Sequence, residues 1–163
     1  MELDKQTLEK ALHVLNWQES LEVSGYHSEI YELGGNKLVK LYTRLDTWAR
    51  GGSKSRFGNA SWELSLADFL LQNGINVPRM RGIGEIKRRF GRTEISYPFI
   101  VSDRIVGAHP LDLTSGEYEV AKEQYFDQRA RIKSLGCQVR DSSLCGRNTF
   151  TIGKPRGYFF SIS

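Results

Sequence analysis

The chain has few of the residues from which stapled or metal-held folds are built. Two cysteines and three histidines occur among 163 residues. Cys137 and Cys145 stand eight positions apart, without the paired spacing or histidine neighbours of a zinc site, so they read as reduced packing thiols. His13, His27 and His109 are scattered, and no Ser-His-Asp or Cys-His arrangement is legible. No apolar run is long enough to span a bilayer. The segment Met1-Glu2-Leu3-Asp4-Lys5 also lacks the basic-then-apolar pattern of a secretory leader. A soluble, cytoplasmic protein without a membrane span is the expectation. Internal repeats and low-complexity tracts are missing too.

What is present fits a folded domain. Hydrophobic residues make up 39% of the chain and charged residues 26%, which argues against general disorder. The length suits one domain, or one lobe with part of another. A net charge of +4 and a pI near 9.1 are compatible with a solvated basic face, an anionic surface or nucleotide phosphates. The densest positive run is Lys87, Arg88, Arg89 and Arg92, with Arg79 and Arg81 before it. Only Phe90 interleaves it, so stacking on nucleic-acid bases has little support and a solvated hairpin tip is the favoured reading.

Periodicity gives the elements. After Asp4, a candidate N-cap, Leu8, Ala11, Leu12 and Leu15 recur at helical spacing. Leu21 and Val23 lead into Gly25, and an alternating strand from Glu29 to Leu33 turns at Gly34-Gly35-Asn36 into Lys37 to Tyr42, as a β-hairpin does. The glycine-rich, basic stretch Arg50 to Asn59 reads as a flexible loop. A helix is expected from Ala60 to Gln72, closed by Gly74. Strands follow over Arg79 to Ile86 and Glu94 to Val101, joined by a basic tip from Lys87 to Arg92. After a break at Val106 to Pro110, a helix is expected from Tyr118 to Leu135, with Tyr118, Ala121, Tyr125, Ile132 and Leu135 facing inward. A last short hairpin joins Thr149-Phe150-Thr151-Ile152 to Tyr158-Phe159-Phe160-Ser161-Ile162.

Three residues in this frame bear on chemistry. Gly25 interrupts strand signals among polar residues, where backbone N–H groups can approach a phosphate without an intervening side chain. An ordinary turn is the alternative. Lys40 shares a strand face with Leu38, so its ammonium needs either water, as on an edge strand, or an anionic partner. Glu63 shares a helix side with Leu66, Ala67 and Leu70, and a carboxylate on an apolar face calls for a cation across the interface or a bond to backbone or water.

The order of these residues, together with Trp62-Glu63 through Gly74-Ile75-Asn76-Val77-Pro78 and Tyr97-Pro98-Phe99-Ile100-Val101-Ser102-Asp103-Arg104-Ile105-Val106-Gly107, resembles the N-terminal lobe of the protein-kinase-like superfamily. The nearest branches are the aminoglycoside phosphotransferases and lipopolysaccharide kinases. The resemblance covers Leu21 to Gly107 and extends loosely beyond. It implies an α+β fold with an N-lobe over residues 1–107, an antiparallel sheet of about five strands carrying a helix, and a minimal helical C-terminal part over 108–163. It further implies ATP and Mg²⁺ as cofactors. The Gly25 turn would cover the phosphates, and Lys40 held by Glu63 would position them. Val101 to Ile105, with Val101 and Asp103 as its site residues, would be the hinge whose backbone bonds the adenine, where a plain strand end is the alternative.

Farther on, Val139-Arg140-Asp141 resembles the H-R-D motif, with Asp141 as the base that accepts a substrate hydroxyl proton and Asn148 as a Mg²⁺ ligand. The chain departs from the family here. Asn148 follows Asp141 by seven positions instead of the motif's five, and Ser161 stands where a second metal-binding aspartate belongs. Without the resemblance, Asp141 and Asn148 are loop polars bonding nearby backbone. An ATP-binding, kinase-like phosphotransferase acting on a hydroxyl is therefore the leading expectation. Its rival is a pseudokinase that serves as a regulatory or protein-binding module, with a partner protein completing or controlled by the fold. A basic nucleic-acid-binding domain is a third option.

Overall fold

The computed structural model describes residues 1–24, 28–43, 53–105, 112–137, 149–151 and 158–160. The fold is α+β. Among the described residues, three helices accompany a five-stranded antiparallel sheet and a two-stranded one: α1 (Lys5–Trp17), α2 (Ser53–Gln72) and α3 (Ser115–Ser134), with strands β1 (Leu21–Ser24), β2 (Ser28–Gly34), β3 (Lys37–Tyr42), β4 (Met80–Phe90), β5 (Thr93–Asp103), β6 (Thr149–Thr151) and β7 (Tyr158–Phe160). The large sheet runs β1-β2-β3-β5-β4, which puts β3 at its centre. Two compact units divide the chain, one holding 1–66 with 79–104 and the other 67–78 with 105–163. The segment 67–78 thus belongs with the second unit, although the sequence suggests a single boundary after residue 107.

Turn chemistry fixes the register of the first unit. Gly35 and Asn36 adopt φ of 58° and 56°, the pair of positive values that a two-residue type I′ turn demands, so β2 and β3 pair Tyr31 with Val39 and Glu29 with Leu41. β3 then pairs with β5 so that Val39 meets Val101 and Leu41 meets Phe99. Because side chains alternate across a strand, one sheet face gathers Tyr31, Val39, Leu41, Ile86, Tyr97, Phe99 and Val101. Ala11 and Leu15 of α1 seal that face, both fully buried. Asp4 caps the helix by accepting from the Thr7 amide at 2.9 Å, as its sequence position suggests. The other face carries Leu38, Lys40 and Tyr42, toward which α2 turns Glu63.

Two expectations need correction. The stretch Ser53 to Asn59 is the start of α2 and not a loop. Gly58 inside a helix costs about 1 kcal/mol relative to alanine, but the turn also buries Arg56 against Tyr97 and places Ala60 in the interior, and that packing outweighs the local signal. Likewise, Lys87 to Phe90 continue β4 and are not a hairpin tip; the turn is Gly91-Arg92 alone, where Gly91 takes φ 60°.

In the second unit, Gly74 follows the end of α2 at Gln72, and its φ of 71° is the left-handed turn that closes the helix. Ala121, Tyr125, Gln128 and Ile132 form the buried side of α3. Gln128 accepts the Asn76 amide at 3.1 Å, and Arg131 donates to the Asn73 carbonyl at 3.2 Å, tying the chain after α2 to α3. Tyr118 and Leu135, read as inner positions, are half-buried. β6 and β7 pair antiparallel, Phe150 opposite Phe159.

Candidate functional site

The central strand and the helix bring Lys40 and Glu63 together. Lys40 Nζ lies 3.0 Å from Glu63 Oε1 and 2.8 Å from Oε2, so the amine spans both carboxylate oxygens. The side chains are 20% and 7% exposed. An edge-strand lysine reaching into water is therefore not what this strand presents: β3 has neighbours on both sides, and the ammonium meets a carboxylate instead.

Tyr42, two positions beyond Lys40 and so on the same face, completes the group. Its hydroxyl donates to Glu63 Oε2, and Lys40 Nζ sits 5.2 Å from the centre of its ring. Burial pushes the Tyr42 hydroxyl well above the ordinary phenol range, and the adjacent Glu63 charge and the hydrogen bond push it further. The phenol thus stays protonated and donates. Glu63 receives three hydrogen bonds, which is how a carboxylate persists at 5% residue exposure. An ammonium has three N–H bonds and two are spent here, so one donor has no partner among the described residues, on a side chain that is 20% exposed and fixed from behind. Such an arrangement can hold an anionic oxygen atom at a set point. Sequence reading missed Tyr42, although the two-residue strand period carries it directly to the Lys40 face.

Val101 and Asp103 lie on β5, between β3 and β4. Val101 is fully buried and opposes Val39 and Gly82. The Asp103 amide donates to the Arg79 carbonyl at 2.9 Å and the Arg104 amide to the Asn36 carbonyl at 2.7 Å, so neither has a proton left for a purine. The Asp103 carboxylate is gripped by Arg81 through a fork of 2.6 and 2.8 Å. Arg104 in turn bridges Glu22 at 2.7 Å and Glu32 at 3.2 Å.

Gly25, Asp141, Asn148 and Ser161 lie outside the described residues, as do His27, His109 and Cys145. Among the described residues no group of three or more His, Cys, Asp or Glu side chains could hold a metal ion. The basic run is dispersed by pairing: Arg81 engages Asp103, Lys87 lies 3.4 Å from Glu94, and Arg88 donates to the Leu15 carbonyl at 3.2 Å. A shallow cleft of about 170 Å³ opens beside the β2–β3 turn, where Lys10, Lys37 and Thr7 face Gly34 and Gly35, and it shares no residue with the Lys40 group. No described helix is long and apolar enough to cross a membrane. Neither the protein-family models nor the curated proteins compared with this chain give a match, so its functional reading stands on residues and geometry.

Proposed function

We propose that the chain is an ATP-binding protein of kinase-like architecture, in which the first unit is the N-lobe and Lys40 contacts nucleotide phosphates. One observation carries this reading: a lysine on the central strand is held by both oxygens of a helical glutamate and, among the described residues, has a third donor without a partner. That geometry orients an amine without consuming it, as phosphate positioning requires. Glu63 fixes the Lys40 amine, Tyr42 fixes Glu63, and the Gly25 turn covers the phosphates. The amides of Asp103 and Arg104 are committed to the sheet, so neither donates a hydrogen bond to the base. Asp141 takes the proton of a hydroxyl acceptor and Asn148 helps hold Mg²⁺. When bound, that ion offsets phosphate charge.

Calorimetric titration with Mg·ATP tests the reading. Binding by the wild-type chain, weakened about tenfold or more by Lys40→Ala, is the expected outcome. Absence of binding at millimolar nucleotide would overturn it.

A second reading, an inactive module of the same architecture that binds a protein, is favoured by one feature. Trp62 and Phe69 on α2 are 61% and 41% exposed, and half-buried Leu66 lies between them, so one side of this helix is an apolar stripe at i, i+4 and i+7. It predicts a partner whose binding survives Lys40→Ala and is lost in Trp62→Ser.

A further inference from the structure

Arg56 is more deeply buried than any other charged side chain among the described residues, at 3% exposure. Its environment does not account for its charge. No carboxylate of the described residues lies within ion-pair distance of it. One nitrogen donates to the Ser96 carbonyl at a long 3.4 Å, and Nε is buried without any hydrogen-bond partner. The guanidinium lies over the Tyr97 ring, 4.5 Å from its centre, and a cation–π contact recovers only part of what a buried, unpaired cation loses on leaving water.

The surroundings add positive potential. Arg56 is the fourth residue of α2, where the amides of the first turn have no acceptor inside the helix and carry the positive end of its dipole. A second guanidinium, Arg88, is 5.8 Å from the same ring. Glu29, on the core face of the sheet, is already engaged by the Tyr31 hydroxyl at 2.5 Å.

We propose that the Arg56 guanidinium, beside Tyr97 at the first turn of α2, is the binding site of a small oxyanion of the phosphate class. The planar fork of arginine matches two oxygens of such an anion, and the added field of Arg88 and the helix terminus favours a dianion over a carboxylate. The anion is small because a side chain this buried offers no surface to a phosphorylated polypeptide. Glu63 lies seven residues along the same helix, two turns or about 10.5 Å away. The anion site therefore stands apart from Lys40 and does not depend on the nucleotide reading.

Thermal unfolding of the full chain, with inorganic phosphate exchanged for chloride at constant ionic strength, tests the site. The wild-type midpoint is expected to rise with the logarithm of phosphate concentration. Arg56→Met is expected to lose that rise and, in chloride, to be at least as stable as wild type, because an apolar side chain of similar reach replaces an unpaired charge. Arg56→Lys keeps the charge without the fork and should bind phosphate about tenfold more weakly. A wild-type midpoint indifferent to phosphate overturns the proposal, as does an Arg56→Met midpoint that rises like wild type. Should Arg56→Met fail to fold, an equal rise in wild type and Arg56→Lys overturns it. A phosphoserine peptide should leave the midpoint unchanged, and a rise matching that of inorganic phosphate would overturn the assignment to a small anion.

Discussion

Lys40 and Glu63, separated by 23 positions in the chain, meet through both carboxylate oxygens at 2.8 and 3.0 Å. The pair has a structural as well as a functional consequence, and substitution separates the two. Glu63→Leu leaves the Lys40 ammonium without its partner and removes the acceptor of the Tyr42 hydroxyl. Lys40 is still 20% exposed and can turn toward water, so the loss should be about 2–3 kcal/mol, below the range for a fully buried pair. Lys40→Met leaves Glu63, the more buried of the two at 7% exposure, with the Tyr42 bond alone and should cost about 3 kcal/mol, at least as much as Glu63→Leu. In Lys40→Met/Glu63→Leu both charges are gone, and the remaining deficit is the Tyr42 hydroxyl, which adding Tyr42→Phe removes. Urea denaturation of wild type, the two single variants and the double variant gives the coupling. Independent losses that simply add would disprove the pairing.

Tyr42 also makes stability depend on alkaline pH. In the unfolded chain its phenol ionises near 10, whereas burial and the Glu63 charge raise that of the folded protein. The folded state therefore retains a proton that the unfolded state releases. Its contribution is whole below about pH 10 and falls as pH rises beyond that point. Tyr31 is raised for a similar reason, chiefly burial and then its bond to Glu29, and adds to the same decline. Tyr42→Phe should cost about 1–2 kcal/mol at neutral pH through the lost bond to a charged acceptor. It should also flatten the decline between about pH 9 and pH 11. Denaturant midpoints across this interval, with phenolate absorbance recorded in parallel, read both effects. An unchanged alkaline slope in Tyr42→Phe would show that the hydroxyl is not the group responsible.

Sequence periodicity reached much of this arrangement. Lys40 alternating with Leu38, and Glu63 among Leu66, Ala67 and Leu70, already offered a cation and an anion meeting across two elements as one of two readings, the other being water or backbone partners, and turn residues such as Gly35-Asn36 set the register that aligns them. Less legible was whatever depends on contacts distant in the chain. The start of α2 at Ser53 rests on Arg56 meeting Tyr97, a contact no local pattern around Gly51, Gly52 and Gly58 encodes. Commitment of the Asp103 amide to Arg79 depends on the bulge between Met80 and Gly82, where β4 shifts register against β5. The continuation of β4 through Lys87-Arg88-Arg89 is similar, since cross-strand partners Glu94, Ile95 and Ser96 make a strand of residues whose charge suggests a solvated tip.

The first turn of α3 offers a local test. Thr114 and Glu117 form a reciprocal cap: the Thr114 hydroxyl accepts from the Glu117 amide at 3.4 Å, and the Glu117 carboxylate accepts from the Thr114 amide at 3.1 Å. Thr114→Ala should destabilise the helix by about 1 kcal/mol, while Thr114→Ser should be near neutral. Faster amide hydrogen exchange across the first turn in Thr114→Ala, with the helix C-terminus near Arg131 and Lys133 unaltered, is the expected signature. Uniform acceleration along α3 would instead point to loss of packing and not of the cap.

A glycine against an aromatic ring sets the packing of the sheet beside the α1 core. Gly84 pairs with Phe99 across β4 and β5, and a β-carbon at Gly84 would fall 2.3 Å from the tip of the Phe99 ring. Ring tips can often swing away, but Phe99 is fully buried among Leu41, Val101 and Ile86 and has nowhere to go. Gly84→Ala should therefore cost about 1–3 kcal/mol as overpacking. The same substitution in a Phe99→Leu background should cost less, because leucine leaves the space the methyl needs, even though Phe99→Leu alone is destabilising. Denaturant unfolding of wild type, both single variants and the double variant supplies the coupling energy. A positive interaction, with the double variant more stable than the two losses added together predict, assigns this contact as the reason glycine occupies position 84. Strict additivity would mean that the strand moves to admit the methyl and that the ring does not constrain the site.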